Sequence, residues 1–531
     1  MYPCPPLSPV FRAALTSTVL AAMLAAGEAP LIEVTLADGA TLDRHWQASP
    51  YGRLWADPAL AGARKQVQKE INALATTIGI DPCAAVSGST GARLLVGDFA
   101  RLTDAVQPIA SARLELGTFS PVAAAAMQTH LIPLMPGSFG VSCLAGGSKR
   151  VDLTWGAGVD AAAFDIPPRT VKGDLSLAVD VRRSLDRLIA NVPGAATGSI
   201  AKLRALWGDT SGDATLAIDL VPEGIRERWL SPKGPAIPGF NPITLDPGRI
   251  PKDAIFFAVV GLDGKTAWPA WSGLIWQLAA MADAEPNRAM TPAEAEQSFN
   301  ADLNRIGFRA PIGELVSGLN GTVMLAVQPG MPFPIFTLAV PTSPALDRMV
   351  DDLLKSRNLT APARGKTVPV TIGRNPLPFF LLREQSYWVV SNDDKGIESW
   401  LSPPDAKRAL NPLFQATRAK APSDTWAIVG LDTQALLRLM QPFLPMLVQT
   451  QDPADLGAVV QVWPKIIEMT QSEWLVAGRE KGRTTYEAQG PAGGIFTKLL
   501  LTGFAARGVS SGRPMPQPIQ QPPSSASGVD L

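Results

Sequence analysis

One nine-residue stretch of this chain has a partial echo, alike at four of its nine places. Asp38-Gly-Ala-Thr-Leu-Asp-Arg-His-Trp46 is answered by Asp263-Gly-Lys-Thr-Ala-Trp-Pro-Ala-Trp271. Asp-Gly opens both copies, Thr41 and Thr266 hold the fourth place, and Trp46 and Trp271 the ninth. A repeat constrains a fold strongly, because each copy has to be a structural unit that buries its apolar face against the next. The match continues downstream. Ile78-Gly79, Val86-Ser87-Gly88 and the apolar run Gly91 to Val96 are echoed by Ile306-Gly307, Val316-Ser317-Gly318 and Gly321 to Val327. More weakly, Arg113 to Leu116 resembles Phe336 to Val340, and Asp174 to Asp180 resembles Trp426 to Asp432. The spacing between copies drifts slowly, as a few loop insertions would make it drift. The pattern predicts an α+β protein: a tandem duplication of a mixed α/β unit with mainly antiparallel sheets. The first unit covers residues 30–230 and the second 252–492. Residues 231–251 join them and read as a Pro/Gly linker by composition.

A local device recurs with the repeat. A β-branched-rich run ends in Asp and passes into a helical pattern at Asp38, Asp98, Asp180, Asp263 and Asp432. An Asp there accepts hydrogen bonds from the free N–H groups of the first helical turn, and its charge suits that end of the helix. These five acids are therefore read as structural helix caps, in preference to a repeated acidic site.

Residues 31–37 read as a strand, 58–78 as a helix with Val67, Ile71, Leu74 and Ile78 on one face, and Ala214 to Leu220 as the strand closing the first unit. In the second unit, Ile255 to Val260 reads as a strand, residues 271–282 and 291–306 as helices, and Pro378 to Leu382 with Tyr387 to Val390 as a hairpin. Between Trp46 and the first helix lies Ser49-Pro-Tyr-Gly-Arg-Leu-Trp-Ala-Asp-Pro58. With Trp46, the residues Ser49, Pro50, Gly52, Leu54, Trp55, Asp57 and Pro58 resemble a family of uncharacterised exported bacterial proteins that carry an SPxGxLWxDP-like stretch after the signal peptide. The likeness covers the first hundred residues, and the second unit lacks the string. It implies export and a repeated α+β build, and no activity.

The N-terminus agrees with export. Arg12 precedes the short apolar run Ala13 to Ala26, and Ala25-Ala26-Gly27 offers small residues for cleavage, so residues 1–29 read as a signal peptide and the mature protein as periplasmic or secreted. No later run reaches the ~18 apolar residues of a membrane span, so no transmembrane anchor is expected once the leader is gone. Residues 493–507 form a short apolar segment broken by Lys498, and the Ser/Pro/Gln-rich residues 508–531 read as a disordered tail. Cys4 would leave with the leader. Cys83 and Cys143 remain, either as a disulfide or as two buried thiols.

Chemistry is scarce. Lys+Arg and Asp+Glu balance at 47 each, and nothing in that argues for nucleic acid, which would need a basic face. Gly508 to Gly512 spells GxSxG but lacks the strand and helix that a nucleophile needs around it. Gly365-Lys366-Thr367 lacks the earlier glycine of a phosphate loop, and Asn392 to Glu398 lacks the spacing of a calcium loop and reads as a turn that caps the next helix. His45 and His130 are not at metal-ligand spacing, and the second copy has Ala270 where the first has His45. No catalytic, cofactor or metal residue is assigned. The sequence points first to a non-enzymatic binding or scaffold module of the bacterial envelope, with a protein partner or an apolar ligand. One alternative is a carrier of an apolar ligand such as a lipid, which would use the stripe Trp271, Leu274, Ile275 and Leu278. The other is a hydrolase that works with carboxylates alone.

Overall fold

A computed structural model describes residues 30–78, 91–99, 109–116, 142–146, 150–155, 169, 172–191, 201, 204–205, 207, 210–282, 290–305, 310–330, 333–371, 379–401, 410–443 and 453–498. The fold is α+β. In chain order the first half contains β1 (Ile32–Leu36), α1 (Gly39–Ala48), α2 (Pro50–Trp55), a 3-10 turn (Pro58–Leu60), α3 (Ala61–Ile78), β2 (Ala92–Phe99), β3 (Ile109–Leu116), β4 (Ser142–Gly146), β5 (Arg150–Trp155), β6 (Leu175–Val179), α4 (Val181–Asn191), β7 (Ala214–Val221) and β8 (Gly224–Leu230). The second contains β9 (Phe256–Asp263), α5 (Gly264–Ala282), α6 (Pro292–Arg305), α7 (Ile312–Gly318), β10 (Asn320–Gln328), β11 (Ile335–Pro341) and α8 (Pro344–Ser356). It continues with β12 (Thr367–Val370), β13 (Phe379–Glu384), β14 (Tyr387–Ser391), α9 (Asp394–Leu401), α10 (Pro412–Arg418), β15 (Asp424–Leu431), α11 (Thr433–Met440), α12 (Pro453–Met469), β16 (Glu473–Glu480) and β17 (Arg483–Gly490).

All seventeen of these strands belong to one sheet. From edge to edge they run β4-β5-β3-β2-β1-β6-β7-β8-β17-β16-β15-β9-β10-β11-β14-β13-β12, and every neighbouring pair is antiparallel. The halves meet where β8 pairs with β17, from Thr485 opposite Leu230 to Gly490 opposite Ile225. Outward from this seam, one half reads β8-β7-β6-β1-β2-β3-β5-β4 and the other β17-β16-β15-β9-β10-β11-β14-β13, with β12 added at the far edge.

The second half shows why these residues make strands. Alternate positions of β9, β10 and β11 are buried, the period-two pattern of a sheet covered on a face. Phe257, Val259, Met324, Ala326, Ala339, Leu382, Val389 and Ile428 form a floor on one side. Ile397 and Trp400 of α9, Phe414 of α10, and Leu245, Ile250 and Ala254 close over it. On the other side, Val350 and Leu354 of α8 pack on Leu381 and Trp388.

Three local expectations change. First, Gly224 to Leu230 is a strand, so the first half closes on β8 rather than at Leu220. Its alternation places Arg226 and Arg228 on the face opposite the fully buried Glu227, and charge on both faces hides a strand from a hydrophobic pattern. Second, α5 begins at Gly264, a full turn before Pro269, which it carries inside. Third, residues 231–251 join the halves as a fastened strap, not a free tether. The Ser231 N–H donates to the Thr484 carbonyl, Ile243 to Thr425, and Thr244 to the Thr322 hydroxyl. Buried Arg249 gives its guanidinium to the carbonyls of Ser399 (3.1 Å) and Trp400 (2.9 Å). Prolines withhold donors along the strap, and Lys233 exchanges backbone hydrogen bonds with Ser211 of the first half.

Candidate functional site

The repeated Asp-Gly stretch is a helix start. Asp38 Oδ1 accepts the Thr41 N–H at 2.9 Å and Oδ2 accepts the Thr41 hydroxyl at 2.8 Å. Those two bonds hold the Asp38 carboxyl below its ordinary range, the backbone bond most. Asp263 accepts the Thr266 hydroxyl at 2.9 Å, so Asp and Thr make the same contact in both copies. Asp180 accepts the Arg183 N–H and Asp432 the Ala435 N–H, each at 3.0 Å, at the starts of α4 and α11. Asp98 differs: it sits inside β2 opposite Ser111 at a register irregularity, and Phe99 after it is still strand. A helix therefore does not begin there, because the β2–β3 pairing continues past it. Cys143 lies in β4, while Cys83 falls outside the described residues, and any pairing between them lies outside as well.

From its cap, α1 delivers His45 to Asp174, 129 residues away. The His45 Nδ1 to Asp174 Oδ1 distance is 2.7 Å. Asp174 is almost wholly buried, its Oδ2 accepts the Leu220 N–H at 2.7 Å, and its own N–H donates to Asp219. Burial pushes the Asp174 carboxyl up, against the opposing pull of Leu220 and His45. The side chain of His45 remains 43% exposed, so the carboxylate orients an imidazole whose far edge reaches solvent. Sequence spacing gave no sign of this pair, since its partners come from α1 and the entrance to β6.

The string Ser49 to Pro58 folds as a corner, and each of its distinctive residues has a local task. Ser49 caps α2, accepting the Gly52 N–H and donating to the Trp46 carbonyl at 2.6 Å. Pro50 follows in the first turn, where a missing N–H costs nothing. A Cβ on Gly52 would lie 2.0 Å from the Trp46 carbonyl oxygen, so only glycine fits. Trp46 and Tyr51 stack with ring centroids 6.4 Å apart. Asp57 caps the 3-10 turn through the Ala59 N–H, and its other oxygen takes Lys465 of α12 at 2.6 Å. Lys465 does most to hold the Asp57 carboxyl below its usual range. Because α12 belongs to the second half and packs on α2 and the 3-10 turn, the string is a contact between halves.

A second polar cluster is buried in the first half. Glu33 of β1 takes Arg93 at 2.7 Å and the Arg169 N–H at 3.2 Å, Arg93 reaches Glu115, and Arg169 reaches Asp213 at 3.3 Å. Burial pushes Asp213 up while Arg169 pulls it down. These charges satisfy one another. Among the described residues no group of three or more His, Cys, Asp or Glu could hold a metal ion.

One concavity is formed by both halves. Ala205 lines it from the first, Pro235, Ala236 and Pro238 from the strap, and Pro269, Ala270, Ser272 and Gly273 from α5. It encloses about 490 Å³. The Trp271 indole N–H donates to the Pro238 carbonyl at 2.9 Å and ties strap to helix beside it. Among the described residues that line it none is titratable, and their side chains offer close apolar contact. Ala270 stands there in the sequence place of His45. Of the stripe Trp271, Leu274, Ile275 and Leu278, Trp271 and Leu274 are half-buried, Ile275 is 46% exposed and the Leu278 side chain lies outside the described residues, while Trp276 turns inward against Trp268 and Phe299. The Asn392 turn stays structural, with Asn392 accepting the Phe336 N–H and Asp393 accepting the Lys395 N–H at the start of α9.

Comparison of the chain with family models, with curated proteins and with solved structures finds no match.

Proposed function

We propose that this protein is an exported, non-enzymatic binding or scaffold module of the bacterial envelope, whose two like halves arose by tandem duplication. The seam carries this reading. Pairing of β8 with β17 makes one sheet of both halves, and the helices on it are held at fixed separations. At about 4.8 Å per strand, seventeen strands extend roughly 80 Å along the hydrogen-bonding direction. Such a platform suits presenting two surfaces together. The ionisable groups that meet inside it, Asp174 with His45 and Glu33 with Arg93, tie elements to one another. The common order of strands outward from the seam and the shared Asp-to-Thr contact support duplication.

A panel of ester, phosphoester, glycoside and peptide substrates tests the non-enzymatic part. The expected result is no saturable turnover by the mature protein. Turnover abolished by Asp174→Asn or Asp213→Asn would replace the reading with the carboxylate hydrolase. Export is tested by N-terminal sequencing of protein from fractionated cells, where a start near residue 28 in the periplasm or medium is expected and an intact Met1 in the cytoplasm contradicts it. Superposition of the halves in a crystal structure tests the duplication: β1, β2 and β3 should fall on β9, β10 and β11, and no common overlay would refute it.

A second reading, a carrier of an apolar ligand, is favoured by the concavity between the halves, whose described lining residues carry no charge. Its volume falls within the range of ligand sites, about 300–1,000 Å³. Mature protein stripped of lipid and then offered a fluorescent fatty acid should bind it in one-to-one ratio, and Ala270→Phe should abolish that binding. No uptake at all removes this reading and leaves the scaffold.

A further inference from the structure

Glu227 and Tyr486 each stand fourth in the strand that closes their half, one on either side of the seam. They have become partners. Glu227 is fully buried, and among the described residues no cation pairs with it. Its carboxylate instead accepts four donors from the second half: the N–H groups of Gly494 (2.9 Å), Phe496 (3.2 Å) and Thr497 (2.6 Å), and the Tyr486 hydroxyl (3.2 Å). The three N–H groups belong to the entrance of the helical turn at 495–498, where donors have no partner within the helix. Space enforces the fit. A Cβ on Gly494 would lie 2.1 Å from the Tyr486 hydroxyl and 2.5 Å from Glu227 Oε2. Phe496 covers the site against Trp229 of β8 and Tyr486 of β17, and Lys498 pairs with Glu473 at 2.7 Å. Burial pushes the Tyr486 hydroxyl up, which keeps it a donor at neutral pH.

We infer that residues 491–498 are a latch across the seam, which makes the two halves one cooperative unit while it is seated and uncouples them when it lifts. A buried carboxylate that loses its donors is costly. Lifting the latch removes the three N–H donors of Gly494, Phe496 and Thr497 together and leaves Glu227 only the Tyr486 hydroxyl of β17, so it is a two-state device: either the three bonds form, or Glu227 has to meet water. With the latch lifted, the halves stay joined by β8–β17 pairing, the strap and the Asp57–Lys465 contact. Whatever takes hold of residues 494–498 acts directly on the seam.

The test uses the full mature chain and hydrogen exchange read by mass spectrometry across a urea series. In the wild type, peptides of β1–β7 and of β9–β16 should lose protection at the same urea concentration. Glu227→Met removes the buried charge and its acceptors together, and Gly494→Ala crowds the latch while leaving the charge in place. In either variant the two sets should separate, with exchange of 224–230 and 491–498 in the absence of urea at least tenfold faster. Glu473→Gln, which breaks only the outer Lys498 pair, should leave the sets coincident. Coincident loss in both Glu227→Met and Gly494→Ala, or separate loss already in the wild type, would overturn the latch. Should Glu227→Met fail to fold, the milder Gly494→Ala decides.

Discussion

At the scale of single residues, the protein uses small side chains where two backbones touch and buried carboxylates where elements meet. Gly52 is the sharpest steric case, because the Trp46 carbonyl occupies the place of its Cβ. Gly52→Ala should lower stability by about 1–3 kcal/mol, the usual cost of forcing atoms into filled space. Gly62 of α3 has nothing within 4 Å of that place. Gly62→Ala should therefore be neutral or gain up to about 1 kcal/mol from helix propensity. Urea midpoints of the two variants check the contrast, and equal effects would contradict it. Asp174 supplies a pH test. Burial raises its carboxyl above the ordinary 3.8, so the folded protein holds this proton more tightly than the unfolded chain does. Its contribution to stability is greatest below 3.8 and is lost as pH rises through the folded value. Asp174→Asn cannot titrate, and wild-type stability should fall relative to the variant as pH rises from below 3.8 through the folded value. A difference that stays constant over that range would contradict the assignment. The Asp caps were legible in the sequence because a cap needs only its own neighbours. The His45–Asp174 bond was not, because its two elements meet only after the sheet has formed.

Among the elements, the most informative are those whose patterns mix two roles. The sequence shows β9, β10 and β11 plainly, since their alternation follows from one covered face. It hides β8, whose Arg226 pairs with Glu487 and whose Arg228 pairs with Asp219 on one face, while Glu227 enters the interior on the other. Charges there satisfy charges in neighbouring strands, and a hydrophobicity pattern cannot record that. The same blindness turns the strap into a linker: its prolines and glycines signal irregular backbone, while the carbonyls of Ser399 and Trp400 that hold Arg249 are remote in sequence. Cap energetics give a prediction at this scale. Asp432→Ala removes the acceptor of the Ala435 N–H and should cost about 1 kcal/mol, with Asp432→Asn nearly neutral. Urea unfolding measures both, and an equal loss in the two variants would mean that charge, not capping, is what Asp432 contributes.

For the whole molecule, the decisive feature is that two halves with the same strand order share one sheet. The sequence likeness says nothing of how the halves join, because four residues matched in nine do not tell which edges meet. The SPYGRLWADP string, the strap and the 491–498 segment all reach from one half toward the other. Hydrogen exchange at the seam of the wild-type protein tests this most directly. Backbone amides of 224–230 and 483–490 should exchange as slowly as those of β9 and β10 in the interior of the sheet, because each strand is paired on both sides. Rapid exchange along β8 and β17, with β7 and β16 protected, would mean two sheets that merely lie side by side and would contradict the account.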